Sequence, residues 1–172
     1  MDYDDVPLSR AYELVAGGCL IWVCTRSADG RYDLAPIAWS CPLDYEPSSR
    51  LLFVCDKKHA TLENLRSSGA FAVALPTREQ MGLVEKTGSV SGRERDKYRD
   101  FGIAAERARK VDALVPEGVA AWLECRLLRT VEEGSVAVVM GEVLAARARS
   151  EAWKERLHYV SESLRYRPGQ AF

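Results

Sequence analysis

Lys57, Lys58, His59 and Thr61 crowd the start of a segment in which Leu62 and Leu65 recur at helical spacing. A helix beginning near Ala60 has free backbone N–H groups and the positive end of its dipole at that point. With the Thr61 hydroxyl and the Lys57 and Lys58 ammonium groups alongside, the combination suits an anion such as a phosphate. Each residue also has a plain reading, Thr61 as a first-turn helix residue and the lysines as solvated surface. Other chemistries lack their residues. There is no GxGxxG after a strand, no GxxxxGK[ST], no HExxH and no GxSxG, and His59 and His158 are the only histidines. Rossmann, P-loop, zincin and nucleophile-elbow readings fall away, and no residue is marked as a covalent nucleophile or metal ligand.

The five cysteines, at 19, 24, 41, 55 and 125, form no CxxC pair and leave one over if they pair. Neither a zinc site nor a disulfide framework is indicated, and reduced thiols packed in a core are the expectation. Cys41 differs from the others. It lies beside Ser40 and Pro42 at a loop edge, where a thiol could approach a ligand.

These candidates need a scaffold, and 172 residues with 47% hydrophobic and 28% charged side chains suit a single domain, 1–172, with one sizeable core. A net charge of −1 offers no basic excess for nucleic acid or an anionic membrane. Acidic Asp2, Asp4 and Asp5 open the chain, and no stretch approaches the roughly 18 apolar residues of a spanning helix. The expectation is a cytoplasmic protein with neither nucleic-acid nor membrane partners.

A short helix is expected first, with Ser9 as cap, Ala11, Leu14 and Val15 on one face, and Gly17-Gly18 as the stop. Leu20 to Thr25 is apolar on both faces, and Asp29-Gly30 turns it into an antiparallel return over 32–39, with Pro36 forcing an end, a bulge or an edge. Ser40 to Pro47 reads as a turn-rich connection leaving the sheet, before a buried strand at Leu51–Cys55. Next come a helix over 60–67 ended by Gly69, a strand at Phe71–Leu75, and a helix behind the Thr77-x-x-Gln80 capping box that stops at Gly88.

Residues 92–112 are charged and weakly periodic, a rim excursion anchored by Tyr98 and Phe101. Ala121, Leu123, Cys125 and Leu127 alternate with Trp122, Glu124 and Arg126, as in a strand with one face in the core. A turn at 132–135 returns it through Val136 to Ala145 as a long hairpin. Hairpins with short helices between them imply a closed or nearly closed antiparallel barrel, since closure removes exposed edges. No repeat or linker interrupts the pattern.

Asp29-Gly30-Arg31 with Asp33 to Trp39, then Lys57 to Thr61, Gly69-Ala70-Phe71, Ser91-Gly92, Asp96-Lys97-Tyr98 and Gly141-Glu142-Val143 follow one another in a fixed order. No one motif is specific, but the ordered set resembles the flavin-reductase-like proteins, above all their flavoredoxin-type branch, across about residues 18 to 146. The resemblance implies a mainly β fold, the Greek-key antiparallel FMN-binding split barrel with short peripheral helices, paired into a homodimer with flavin at the interface.

It further implies that Lys58 and Thr61 meet the flavin phosphate, that Ala38, Trp39 and Ser40 run along the ring, that Lys97 reaches the cofactor and that Tyr166 closes over it. Trp39 has the alternative of simple core packing. Asp33 stands where the family usually has Asn, which replaces a donor-acceptor by an acceptor-only carboxylate. Many relatives carry a histidine just after the last hairpin turn, whereas this chain has Val136.

By resemblance the chain is an NAD(P)H-dependent flavin reductase, passing hydride from nicotinamide to FMN. The missing histidine also suits an FMN-binding electron carrier or sensor without nicotinamide turnover of its own. A barrel without cofactor, serving as a dimeric interaction module, is the third reading.

Overall fold

The structure is a computed structural model describing residues 18–161 and 165–168. The expected helix behind Ser9 lies outside the described residues. From Leu20 onward the order is β1 (Ile21–Arg26), β2 (Tyr32–Ile37), β3 (Ser40–Asp44), β4 (Arg50–Asp56), α1 (Ala60–Ser68), β5 (Ala70–Leu75), α2 (Met81–Gly88) and α3 (Lys97–Asp100). Short strands β6 (Ala105–Arg107) and β7 (Leu114–Pro116) precede the long β8 (Ala121–Glu133) and β9 (Val136–Ala148), and a terminal pair β10 (Leu157–Ser161) and β11 (Arg165–Pro168) follows. None of the described helices is long and apolar enough to cross a membrane.

Seven strands form one antiparallel sheet in the order β2-β1-β5-β8-β9-β4-β3. Its two ends are halves of one bent run of chain. β2 pairs with β1, the chain turns at Ala38-Trp39, and β3 pairs with β4, with Ser40 opposite Phe53. The Val54 N–H donates to the Trp39 carbonyl at 2.9 Å and carries the ladder round the bend. The sheet therefore closes into the expected split barrel.

β3 corrects the reading of residues 40–47 as a connection outside the sheet. Pro42 sits in β3 opposite Leu51, and Pro36 in β2 opposite Trp22. Both halves of the bent strand have one ladder neighbour, where a missing N–H is tolerated.

The barrel interior is packed by Ile21, Val23, Phe53, Phe71, Val73 and Val139, with Leu62 and Leu65 of α1 joining them. The Phe53 and Phe71 rings meet edge to face at 5.7 Å. Gly141 makes room for them, since a Cβ there would stand 2.5 Å from Phe71 Cζ.

The other face of β1 and β5 is buried as well. Trp22, Cys24, Ala72 and Ala74 pack under Val84 of α2, Tyr98 of α3 and Val115 of β7. The Trp22 indole donates to Thr87 Oγ1 at 3.0 Å. Elsewhere the outer wall carries half-buried and exposed apolar side chains that no described element covers. Val131, Val138 and Val54 stand in one cross-strand row, with Met140, Leu52 and Cys41 in a neighbouring one. Val131 is 44% exposed.

Glu124 corrects another expectation, for alternation sets it opposite the barrel core yet it is 1% exposed. The excursion folds over it. Its carboxylate accepts from the Arg109 amide at 2.8 Å, from the Lys110 amide, and from the Trp122 indole at 3.3 Å. Desolvation pushes this carboxyl up, but the Lys110 and Arg109 amides and the indole outweigh it and hold the group below its ordinary range.

A depressed folded value stabilises above the unfolded one and is lost as pH falls through the folded value. Glu124→Gln is therefore expected to lower stability by about 1 to 3 kcal/mol at neutral pH. In urea titrations of both proteins the gap should close as pH falls below the ordinary value of 4.5. A gap independent of pH would show that the carboxylate charge is not what holds the excursion.

Candidate functional site

Alternation along β2 places Asp33 opposite Thr25 on the barrel-facing side shared with Ala35 and Ile37, where it is 5% exposed. Lys97 reaches it because Asp96 caps α3, its side chain accepting the Arg99 N–H at 3.1 Å, and so fixes Lys97 in the first turn. The Lys97 ammonium donates to the Leu34 carbonyl at 2.7 Å and stands 3.1 Å from Asp33 Oδ1. Gly92 closes over this pair. A Cβ at Gly92 would fall 2.3 Å from Asp33 Cγ.

Asp33, Lys58, Thr61 and Lys97 line one open cleft of about 270 Å³, together with Pro36 and Ser91. Its far wall is the start of α1. His59 is the N-cap and makes no side-chain cap, so no side chain of the N-cap satisfies the first-turn N–H groups. Thr61 is 1% exposed, and its hydroxyl has no hydrogen-bond partner among the described residues.

The loop before α1 is tied down from two sides. Asp56 Oδ1 accepts the Lys58 N–H at 2.8 Å. Arg93 donates to the Lys58 carbonyl and pairs with Glu63 at 3.2 Å. Lys57, by contrast, is committed to Glu132 at 3.1 Å, and Glu132 also takes Arg66. Of the two lysines, Lys58 is the one that faces the cleft.

Four of the expected site residues thus converge. Ala38, Trp39 and Ser40 do not line the cleft but form the bend between β2 and β3. Ala38 packs against the outer core, Trp39 is 44% exposed, and Ser40 Oγ donates to the Cys19 carbonyl at 3.0 Å. The Tyr166 backbone pairs with Tyr159 in the β10-β11 hairpin, and its side chain lies outside the described residues. Val136 opens β9 opposite Asp56, and the neighbouring Ser135 carbonyl accepts the Lys57 N–H at 3.0 Å.

Sequence reasoning named Asp33, Gly92 and Lys97 singly, without their mutual contact. It named His59 at the helix start but gave it no role at the cleft, which this residue lines. The one signal for the contact was a glycine within a charged stretch. As a whole the cleft has the N-terminus of α1 on one side and a buried, charge-balanced pair on the other.

Comparison with known proteins shows the family and the fold. The model of the flavin reductase like domain matches residues 14–167. The chain is 35% identical over 127 residues to protein YddH of Escherichia coli strain K12, spanning 73% of this chain and 67% of that protein. Flavoredoxin of Desulfovibrio vulgaris (Miyazaki F) shares the fold, with a TM-score of 0.85 at 19% identity over 100% of this chain and 95% of its own. An FMN-binding domain of a flavin reductases-like enzyme from Shewanella baltica matches at 26% identity and a TM-score of 0.75, over 97% and 94% of the two chains.

The approach of Gly92 to Asp33 makes a steric prediction. Gly92→Ala must displace a buried, paired carboxylate and is expected to cost about 1 to 3 kcal/mol in thermal or urea unfolding. Gly82→Ala is the control, because a Cβ at Gly82 in α2 meets nothing within 4 Å. That change should be neutral or stabilise by about 0.5 kcal/mol. Equal effects at the two positions would contradict the tight packing of Gly92 on Asp33.

Proposed function

Since the chain belongs to the flavin reductase-like family, we propose that its cleft binds FMN and that the bound flavin is reduced by NADH or NADPH. The observation carrying this reading is Thr61, a buried residue that lines the cleft and whose hydroxyl has no hydrogen-bond partner among the described residues. A phosphate entering there meets that hydroxyl, the first-turn N–H groups of α1 and the Lys58 ammonium. The residues present therefore fit FMN.

When bound, the flavin supplies the hydride-accepting chemistry, and the protein supplies binding, orientation and electrostatics. Lys58, Thr61 and the α1 amides hold the charged end. Asp33 and Lys97 form the buried polar floor, and the wall at Ala35 and Pro36 excludes water from it.

Ala38, Trp39 and Ser40 continue that wall along the bend, in position to meet the part of the flavin that leaves the cleft, and Tyr166 is proposed to close over it. The cleft's volume of about 270 Å³ is below the usual range for enclosing a small molecule. A flavin held by its phosphate must project beyond it.

A second copy of this chain is proposed to cover the projecting part. The support is the row Val131, Val138 and Val54 on the outer wall, which no described element covers and which leads to Trp39 across the Val54 to Trp39 hydrogen bond. Val136 favours a second functional reading. It lies beside the loop that leads to Lys58 and can neither donate a hydrogen bond nor move a proton, which suits a carrier or sensor that takes electrons from another protein.

The spectrum of the purified protein before and after addition of FMN tests the cofactor, and anaerobic mixing of the loaded protein with NADH or NADPH tests the reductase. Flavin bleaching at enzymatic rates supports the reductase, and its absence the carrier. Thr61→Ala should weaken FMN binding about ten- to a hundredfold, through loss of about 1.5 to 3 kcal/mol, and riboflavin binding much less. Equal losses for both ligands would place Thr61 in folding or ring binding.

For the dimer, Val138→Glu is expected to yield monomers in sedimentation velocity and to weaken FMN binding about tenfold or more, because an unpaired carboxylate buried at an apolar contact costs several kcal/mol. A wild type that sediments as a monomer and still binds FMN tightly would rule the arrangement out.

A further inference from the structure

Lys97 and Asp33 are 3% and 6% exposed at their side chains, so their charges are poorly screened by solvent. The ammonium is held by the Leu34 carbonyl as well as by the carboxylate. Asp33 Oδ1, although buried, accepts no hydrogen bond of good geometry among the described residues. The carboxylate thus acts on Lys97 through its charge. Gly92 is packed against it and keeps it in place.

We propose that Asp33 is a positioning residue that cancels the Lys97 charge inside the flavin cleft and thereby sets the balance of affinity between oxidised and reduced FMN. The inference rests on the FMN reading of the cleft. Two-electron reduction of a flavin with uptake of one proton adds one negative charge to it. An uncompensated buried ammonium in the cleft would favour that added charge and stabilise the reduced form. The Asp33–Lys97 pair has no net charge and gives much less of this preference, so the flavin stays the stronger reductant. Lys58 also lines the cleft, but it is exposed and its charge is screened by water and salt.

The test is the ratio of dissociation constants for oxidised and reduced FMN, obtained from flavin binding and from dithionite titration against a reference dye. Asp33→Asn keeps the size of the side chain and removes its charge. It is expected to shift the ratio about tenfold or more toward reduced FMN, which is about 30 mV upward for a two-electron couple.

The double variant Asp33→Asn with Lys97→Met removes both charges. Replacing a buried ion pair by uncharged groups is often tolerated, so this protein is expected to fold even if the single variant does not. Its ratio should lie within about threefold of wild type, the spread expected for small non-additive effects. A tenfold shift in the double variant, or an unchanged ratio in a folded Asp33→Asn protein, would overturn the inference while leaving FMN binding intact. A wild type that binds no FMN in either redox state would overturn the FMN reading and this inference together.

Discussion

One stretch of chain has to serve both ends of the sheet. Residues 32–44 pair with β1 over the first half and with β4 over the second, and the bend at Ala38-Trp39 brings the two ends together. Everything at the cleft depends on that closure. It sets Asp33 at one point of the wall, leads the chain through β4 into α1, and so delivers Lys58 and Thr61 to the same cleft from the other side. Without it β2 and β3 would be two open edges, and the cleft would lose one wall.

A second constraint acts from outside the barrel. β1 and β5 are buried on both faces, and the excursion between α2 and β8 supplies the outer layer. That layer is held by polar anchors, Glu124 on the Arg109 and Lys110 amides and Lys97 on Asp33 and Leu34. The same segment therefore covers the core and completes the cleft. Stability and the proposed cofactor binding share side chains here, most directly at Lys97.

The sequence made the local features readable and left the long-range ones hidden. Leu20 to Cys24, apolar at every position, announced a strand covered on both sides, and the segment from Ala60 to Gly69 announced a helix with its stop. The Gly134-Ser135 turn between β8 and β9 was equally plain. β3 was not, because prolines and polar residues argue for a loop unless the neighbouring strand is known.

Glu124 shows the same limit in another form, since alternation tells which face a residue is on but not what will cover that face. At the cleft, Lys58 and Thr61 could be read together because one helix start carries both. Asp33 and Lys97 belong to distant parts of the chain, and their pairing depends on how the excursion docks on β2.

The β3–β4 ladder is the thinnest part of the wall. Pro42 brings no N–H to it, and its register shifts between Pro42 and Asp44. Local opening at this seam exposes few apolar groups and should require far less free energy than global unfolding. β1 and β5 are sandwiched between two packed layers, so exchange of their amide hydrogens is expected to need unfolding of the whole domain. The barrel is therefore a rigid staple with a zip along one side, and the zip runs past Trp39.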